Sequence, residues 1–168
     1  RSSDATWKVL ATPSVLTEID RAPETPEGAY NLDGWDGYVA ERNRILGTVR
    51  EEGIDDVVSV AGDMHTSAVA DLHADFHEPG SPVVATEFVA PSISSLELIS
   101  DEQVAGARAN EHVLLYDTEN RGYLRCEVTP EEWRSDYRWV DTALEPESDI
   151  RTASTWVVAS GTPGATEA

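Results

Sequence analysis

The run Asp56-Val57-Val58-Ser59-Val60-Ala61, stopped abruptly by Gly62-Asp63, constrains the fold more than any other feature of the chain. Near-continuous β-branched residues read as a strand covered on both faces, so a layer must lie on each side of it. Residues 36–52 read as a helix leading into that strand. Asp36 is placed as its N-cap and Gly53 as its stop, with Tyr38, Ile45, Leu46 and Val49 near one face. A helix that feeds a buried strand is a unit of α/β architecture, and such folds put their chemistry on loops at the carboxyl ends of the strands.

The remaining segments fill out a mixed α/β sheet. Residues 7–10 and 83–89 read as strands, residues 68–76 as a short helix, and the Pro-, Glu- and Gly-rich residues 17–34 as a long surface loop. Residues 90–111 read as loop with one helical stretch. Beyond them the pattern is that of strands. Residues 112–116 and 122–128 flank a turn-forming stretch and read as a hairpin, with Leu124, Cys126 and Val128 facing inward. Trp133, Ser135, Tyr137 and Trp139 alternate with Arg134, Asp136 and Arg138, so their aromatic rings are expected between a sheet and a helix. Residues 152–159 read as a last strand. The expected organisation is one domain over residues 1–159, followed by a disordered tail at 160–168.

Charge excludes several classes of partner. Thirty-two Asp and Glu face 12 Lys and Arg in 168 residues, a formal net charge of −20. Such a surface repels a phosphate backbone and anionic lipid alike, which leaves no nucleic-acid grip. No stretch approaches the ~18 apolar residues of a membrane span. Lys8 is the only lysine, and dense carboxylates with so little lysine read as adaptation to high salt, where screening over ~3 Å at 1 M removes self-repulsion. The single Cys126 excludes an internal disulfide or a zinc–cysteine cluster. The segment opens at Arg1 without an export signal, so any such signal is expected upstream of it.

Gly62-Asp63-Met64-His65 ends the buried strand, and one loop can there present a carboxylate oxygen and an imidazole nitrogen. That donor pair suits a divalent or trivalent metal. The same four residues fit equally well with Asp63 capping the next turn and His65 as a satisfied imidazole. His73 and His77 would share a helical face as a metal pair, but Pro79-Gly80 ends any helix at once.

A set of segments occurs in one order: Trp7-Lys8-Val9-Leu10, Asn31-Leu32-Asp33-Gly34-Trp35-Asp36-Gly37-Tyr38, Gly62-Asp63-Met64-His65-Thr66 and Ser81-Pro82-Val83-Val84-Ala85-Thr86-Glu87-Phe88. Asn110-Glu111-His112, Arg121-Gly122-Tyr123 and Val128-Thr129-Pro130-Glu131 follow them. Together they resemble the C-terminal part of a PhoD-like alkaline phosphatase, a branch of the metallophosphoesterase superfamily, over about residues 7–158. The resemblance implies the C-terminal half of an α/β/β/α sandwich and metal-dependent hydrolysis of phosphate mono- or diesters, with iron and calcium as the ions. It makes Asp63 and His65 the catalytic metal ligands and places Trp35, Asp36 and, as a substrate contact or a structural hydrogen bond, His112 beside the substrate. It also implies twin-arginine export to the extracellular space or cell surface, and further acidic, amide and cysteine ligands in an N-terminal half of the same enzyme. The alternative is a non-catalytic remnant that keeps only an acidic, salt-adapted fold. The chain departs from the family where Ala11-Thr12-Pro13-Ser14-Val15 stands in place of a Gly-Asn-Gln-type loop.

Overall fold

The computed structural model describes residues 3–96 and 99–168. A five-stranded sheet contains β1 (Lys8–Ala11), β2 (Val57–Ala61), β3 (Ser67–His73), β4 (Val83–Val89) and β5 (Val113–Asp117), in the order β1-β2-β4-β3-β5. β1, β2 and β4 run parallel, and β3 is antiparallel to both β4 and β5. A four-stranded antiparallel sheet follows: β6 (Arg121–Val128), β7 (Glu132–Val140), β8 (Ile150–Ala159) and β9 (Thr166–Glu167).

The first sheet is covered on both faces, as the β2 sequence requires. On one face, Leu46 and Val49 of α1 (Val39–Glu51) pack on Leu72, Val84 and Ala85. Ala107 and Val104 of α2 (Asp101–Arg108) join Ala61, Ala68 and Val89 on that face. On the other, Val58, Val69 and Phe88 meet Trp133, Tyr137, Trp156 and Val158 of the second sheet. The layers are therefore helix, sheet, sheet. The aromatic residues of β7 fill the space between the two sheets, not between a sheet and a helix.

Several expectations change. Residues 68–73 form strand rather than helix and 74–76 lead into a turn, because pairing with β4 and β5 on both sides overrides the helix preference of Ala68 and Ala70. Residues 112–128 are not a hairpin: β5 completes the first sheet and β6 opens the second. The corner between them is held by Gly122, at φ 153°, where a β-carbon would lie 1.9 Å from the Arg138 carbonyl oxygen. Cys126 lies exposed on β6, an edge strand, instead of facing a core. The tail expected to be disordered carries β9, and the Gly161 and Ala165 amides donate to Asp56 and Asp71.

α1 starts later than its sequence suggests. Tyr38 is the capping residue, after a single 3-10 turn over Trp35–Gly37, and Asp36 makes no cap. The C-terminal stop is as expected. Gly53, at φ 58°, donates to the Arg50 carbonyl, and Ile54 donates to Val49, the paired bonds of a left-handed helix terminus.

Candidate metal and phosphoester site

β2 and β3 are joined by a strained turn. The Met64 amide donates to the Gly62 carbonyl at 2.8 Å across Asp63, whose φ is 70°, the geometry of a γ-turn. His65 follows at φ 54°. Two non-glycine residues at positive φ in one loop cost about 1–3 kcal/mol each and persist only where their surroundings over-determine them. Here Thr66 Oγ1 donates to the Met64 carbonyl, and Arg121, buried beneath the loop, donates to the His65 carbonyl at 3.1 Å.

The turn leaves both side chains available. Asp63 is exposed, and among the described residues its carboxylate has no hydrogen-bond or ion-pair partner, so it caps nothing. His65 Nδ1 lies 3.2 Å from the Leu96 carbonyl oxygen. A carbonyl only accepts, so Nδ1 carries a hydrogen, and in the neutral ring Nε2 then keeps its lone pair, the arrangement that orients a metal-binding imidazole.

Asp63 lines a niche of about 20 Å³ together with Ser14, Arg21, Asn31, Trp35 and Asp36, which is room for one ion or water. His65 is not part of that wall. Trp35 is fixed by its Nε1–H, which donates to Thr12 Oγ1 at 3.2 Å. Asp36 is committed to structure: its carboxylate pairs with Arg42 and accepts the Ile19 amide, while burial raises its pKa against the opposing pull of Arg42. His112 lies elsewhere. Its Nε2 donates to the Glu18 carbonyl at 2.7 Å in a separate pocket with His73 and Phe76, and burial lowers its pKa. His73 and His77 form no pair, since the first bonds the Ser81 carbonyl and the second the Glu18 carboxylate.

Four residues escape a reading of local pattern. Arg21 reaches the niche, and among the described residues its guanidinium makes no hydrogen bond or ion pair. Arg121 supports His65. Arg42 is fully buried between Glu18 and Asp36. Glu87, also fully buried, accepts the Leu16 and Thr17 amides at 3.0 and 2.8 Å and the Ser59 hydroxyl at 2.8 Å. It thereby ties the segment that walls the niche to β2 and β4. One signal for it was legible, a lone charge inside an otherwise apolar strand.

Burial raises the Glu87 pKa, with the amide and hydroxyl donors opposing. The folded state therefore holds this proton after the unfolded chain has lost it. Stability linked to the group is complete below the ordinary carboxylate range and declines as pH rises through the folded value. Glu87→Gln can donate to Ser59 and accept from Leu16 and Thr17, so it is expected to fold and to lack that decline. Denaturation midpoints at pH 4.5 and pH 8 check this: the variant should gain on the parent at the higher pH.

The PhoD-like phosphatase family matches residues 1–137. The chain belongs to that family. It is 33% identical over 159 residues to alkaline phosphatase D of Bacillus subtilis (strain 168), covering 93% of this chain and 27% of that protein. A solved structure described as the structure of PhoD superposes with a TM-score of 0.83 at 30% identity, over 99% of this chain and 32% of the other. The chain thus spans 27% to 32% of the length of these relatives. In keeping with that share, no group of three or more His, Cys, Asp or Glu side chains among the described residues is placed to hold a metal. Asp63 and His65 fit a metal chemically as part of a shell, not as a whole one.

Proposed function

We propose that this chain is the C-terminal part of a metal-dependent phosphoester hydrolase, belonging with its C-terminal strand to an α/β/β/α domain whose other ligands come from the rest of the enzyme. The observation that carries the reading is the strained β2–β3 turn, which leaves the Asp63 carboxylate unpartnered among the described residues and the His65 Nε2 lone pair available in the neutral ring. When bound, a metal pair supplies a nucleophile at neutral pH and neutralises charge on the phosphoryl oxygens. Asp63 contributes the charge that retains a cation, and His65 contributes a neutral nitrogen donor. Arg21 offers a planar fork of N–H donors to phosphoryl oxygens at the niche. Ser14 places a hydroxyl in the same wall, where the departure from the family loop removed other polar groups. Iron and calcium as the ions, and export by the twin-arginine route, belong to the same proposal; no helix of the described residues is long and apolar enough to cross a membrane.

The decisive test is metal removal. Hydrolysis of 4-nitrophenyl phosphate by the longer enzyme should disappear on chelation and return on metal addition, and turnover indifferent to chelation removes the reading. One observation favours inactivity of the isolated 168-residue chain, namely that the donors among its described residues do not complete a metal shell. No turnover is expected from that chain with any added divalent ion, measured by 4-nitrophenolate release.

The net charge of −20 carries a further expectation. Self-repulsion among the carboxylates falls as the screening length shortens. The thermal midpoint of the chain should therefore rise between 0.1 and 2 M KCl, measured by circular dichroism. A midpoint that falls over that range contradicts salt adaptation.

A further inference from the structure

We propose that the organic part of the ester is a flat aromatic alcohol, seated in a pocket beside the Asp63 niche and walled by Pro13, Trp35, Tyr38 and Ile45. The proposal rests on the hydrolase reading and names its substrate class. Volume makes the first argument. The niche, at about 20 Å³, accepts an ion or a single oxygen, so the bulk of any ester lies outside it. The adjoining pocket measures about 410 Å³, within the ~300–1,000 Å³ of small-molecule sites.

Continuity makes the second argument. Ser14, Gly34 and Trp35 line both spaces, so a phosphoryl group at Asp63 and Arg21 directs its alcohol toward the pocket. Chemistry makes the third. The indole N–H of Trp35 is spent on Thr12, which leaves the ring as an apolar wall. Tyr38, 64% exposed, opposes solvent with a large aromatic side chain, in a molecule whose surface is dominated by carboxylates. At the rim Arg44 and Glu41 neutralise each other through a hydrogen bond of 2.8 Å. The space is mostly apolar, the Glu41–Arg44 pair cancels at its mouth, and Asp33 is the one lining carboxylate without a partner among the described residues. Next to the Arg21 guanidinium, such a space fits the apolar face of an aromatic alcohol better than a polar alcohol such as glycerol.

Two measurements test this. In the first, this chain is titrated with 2-naphthylmethanol, and separately with inorganic phosphate, while the NMR signals of Trp35, Tyr38 and Ile45 are followed. The alcohol should shift all three, and Tyr38→Ala and Ile45→Ala should each weaken it about fivefold through lost apolar contact. Leu144→Ala, 89% exposed and outside the pocket wall, should change nothing. Absence of shifts at these residues, or equal binding by the variants, overturns the pocket. In the second, the longer enzyme is compared on 2-naphthylmethyl phosphate and methyl phosphate, whose leaving alcohols have similar acidity. A higher kcat/KM for the aromatic ester, narrowed by Tyr38→Ala, supports the assignment. Equal values overturn it, including the case in which another part of the enzyme fills the pocket. Binding of the alcohol without hydrolysis of either ester sinks the hydrolase reading while leaving the pocket in place.

Discussion

Asp63→Ala in the longer enzyme is expected to empty the metal site and lower kcat/KM by about a thousandfold or more, since metal activation of water and clamping of the phosphoryl oxygens are lost together. His65→Ala should do the same. The backbone supplies a control that a purely structural role would fail. Asp63 sits at φ 70°, a conformation that costs an aspartate energy and a glycine none. Asp63→Gly should therefore retain or raise the denaturation midpoint while abolishing metal content and turnover. Asp63→Asn, whose side chain also tolerates this backbone region, should behave likewise with a smaller gain. Metal content by elemental analysis, turnover and the midpoint are read on the same samples. Retention of metal and activity in either alanine variant ends the assignment, and so does a loss of activity that merely follows a loss of stability in the glycine variant.

The parts of this picture visible in the sequence are those that depend on local pattern. The β2 run announces its burial because each of its residues is apolar or small, and Gly53 announces the end of α1 because only a residue at ease at positive φ closes that terminus without strain. Asp63 and His65 stood out as metal-binding residue types at the end of a buried strand. What local pattern cannot carry is pairing between distant segments. β3 read as helix because its alanines favour helix in isolation, and only β4 and β5 on either side make it a strand. The segment after β5 read as a hairpin because a turn between two strand-like runs looks the same whether the second run returns beside the first or starts a new sheet. His112 fell outside the Asp63 niche for the same kind of reason: its ring bonds Glu18, a residue 94 positions away. Trp35 and Asp36 did reach the niche, although Asp36 is there chiefly as a partner of Arg42.

That partnership gives the second large effect. Arg42 has no exposed side-chain surface and lies between the Glu18 and Asp36 carboxylates, which are 10% and 8% exposed, with its guanidinium 5.1 Å from the Phe76 ring. Arg42→Ala leaves the Asp36 and Glu18 carboxylates in a poorly solvated site with only the Ile19 amide and the His77 ring as partners, and breaking a buried pair in this way costs about 3–5 kcal/mol. The damage should not stay local. Asp36 holds the Ile19 amide, and the Glu18 backbone carbonyl accepts from His112, so Glu18 and Ile19, which lead to Arg21, loosen once the Glu18 and Asp36 carboxylates lose the guanidinium. Arg42→Ala is expected to lower the denaturation free energy by that amount and to remove hydrogen-exchange protection from the Ile19 amide, whereas the Leu16 and Thr17 amides on Glu87, α2 and the second sheet keep theirs. Adding Glu18→Gln and Asp36→Asn should recover much of the loss, because neutral amides do not need the guanidinium. If the triple variant is no more stable than Arg42→Ala, the cost lies in lost packing against Phe76 and not in stranded charge. If Arg42→Ala leaves both midpoint and protection unchanged, the buried ion network does not hold the niche wall at all.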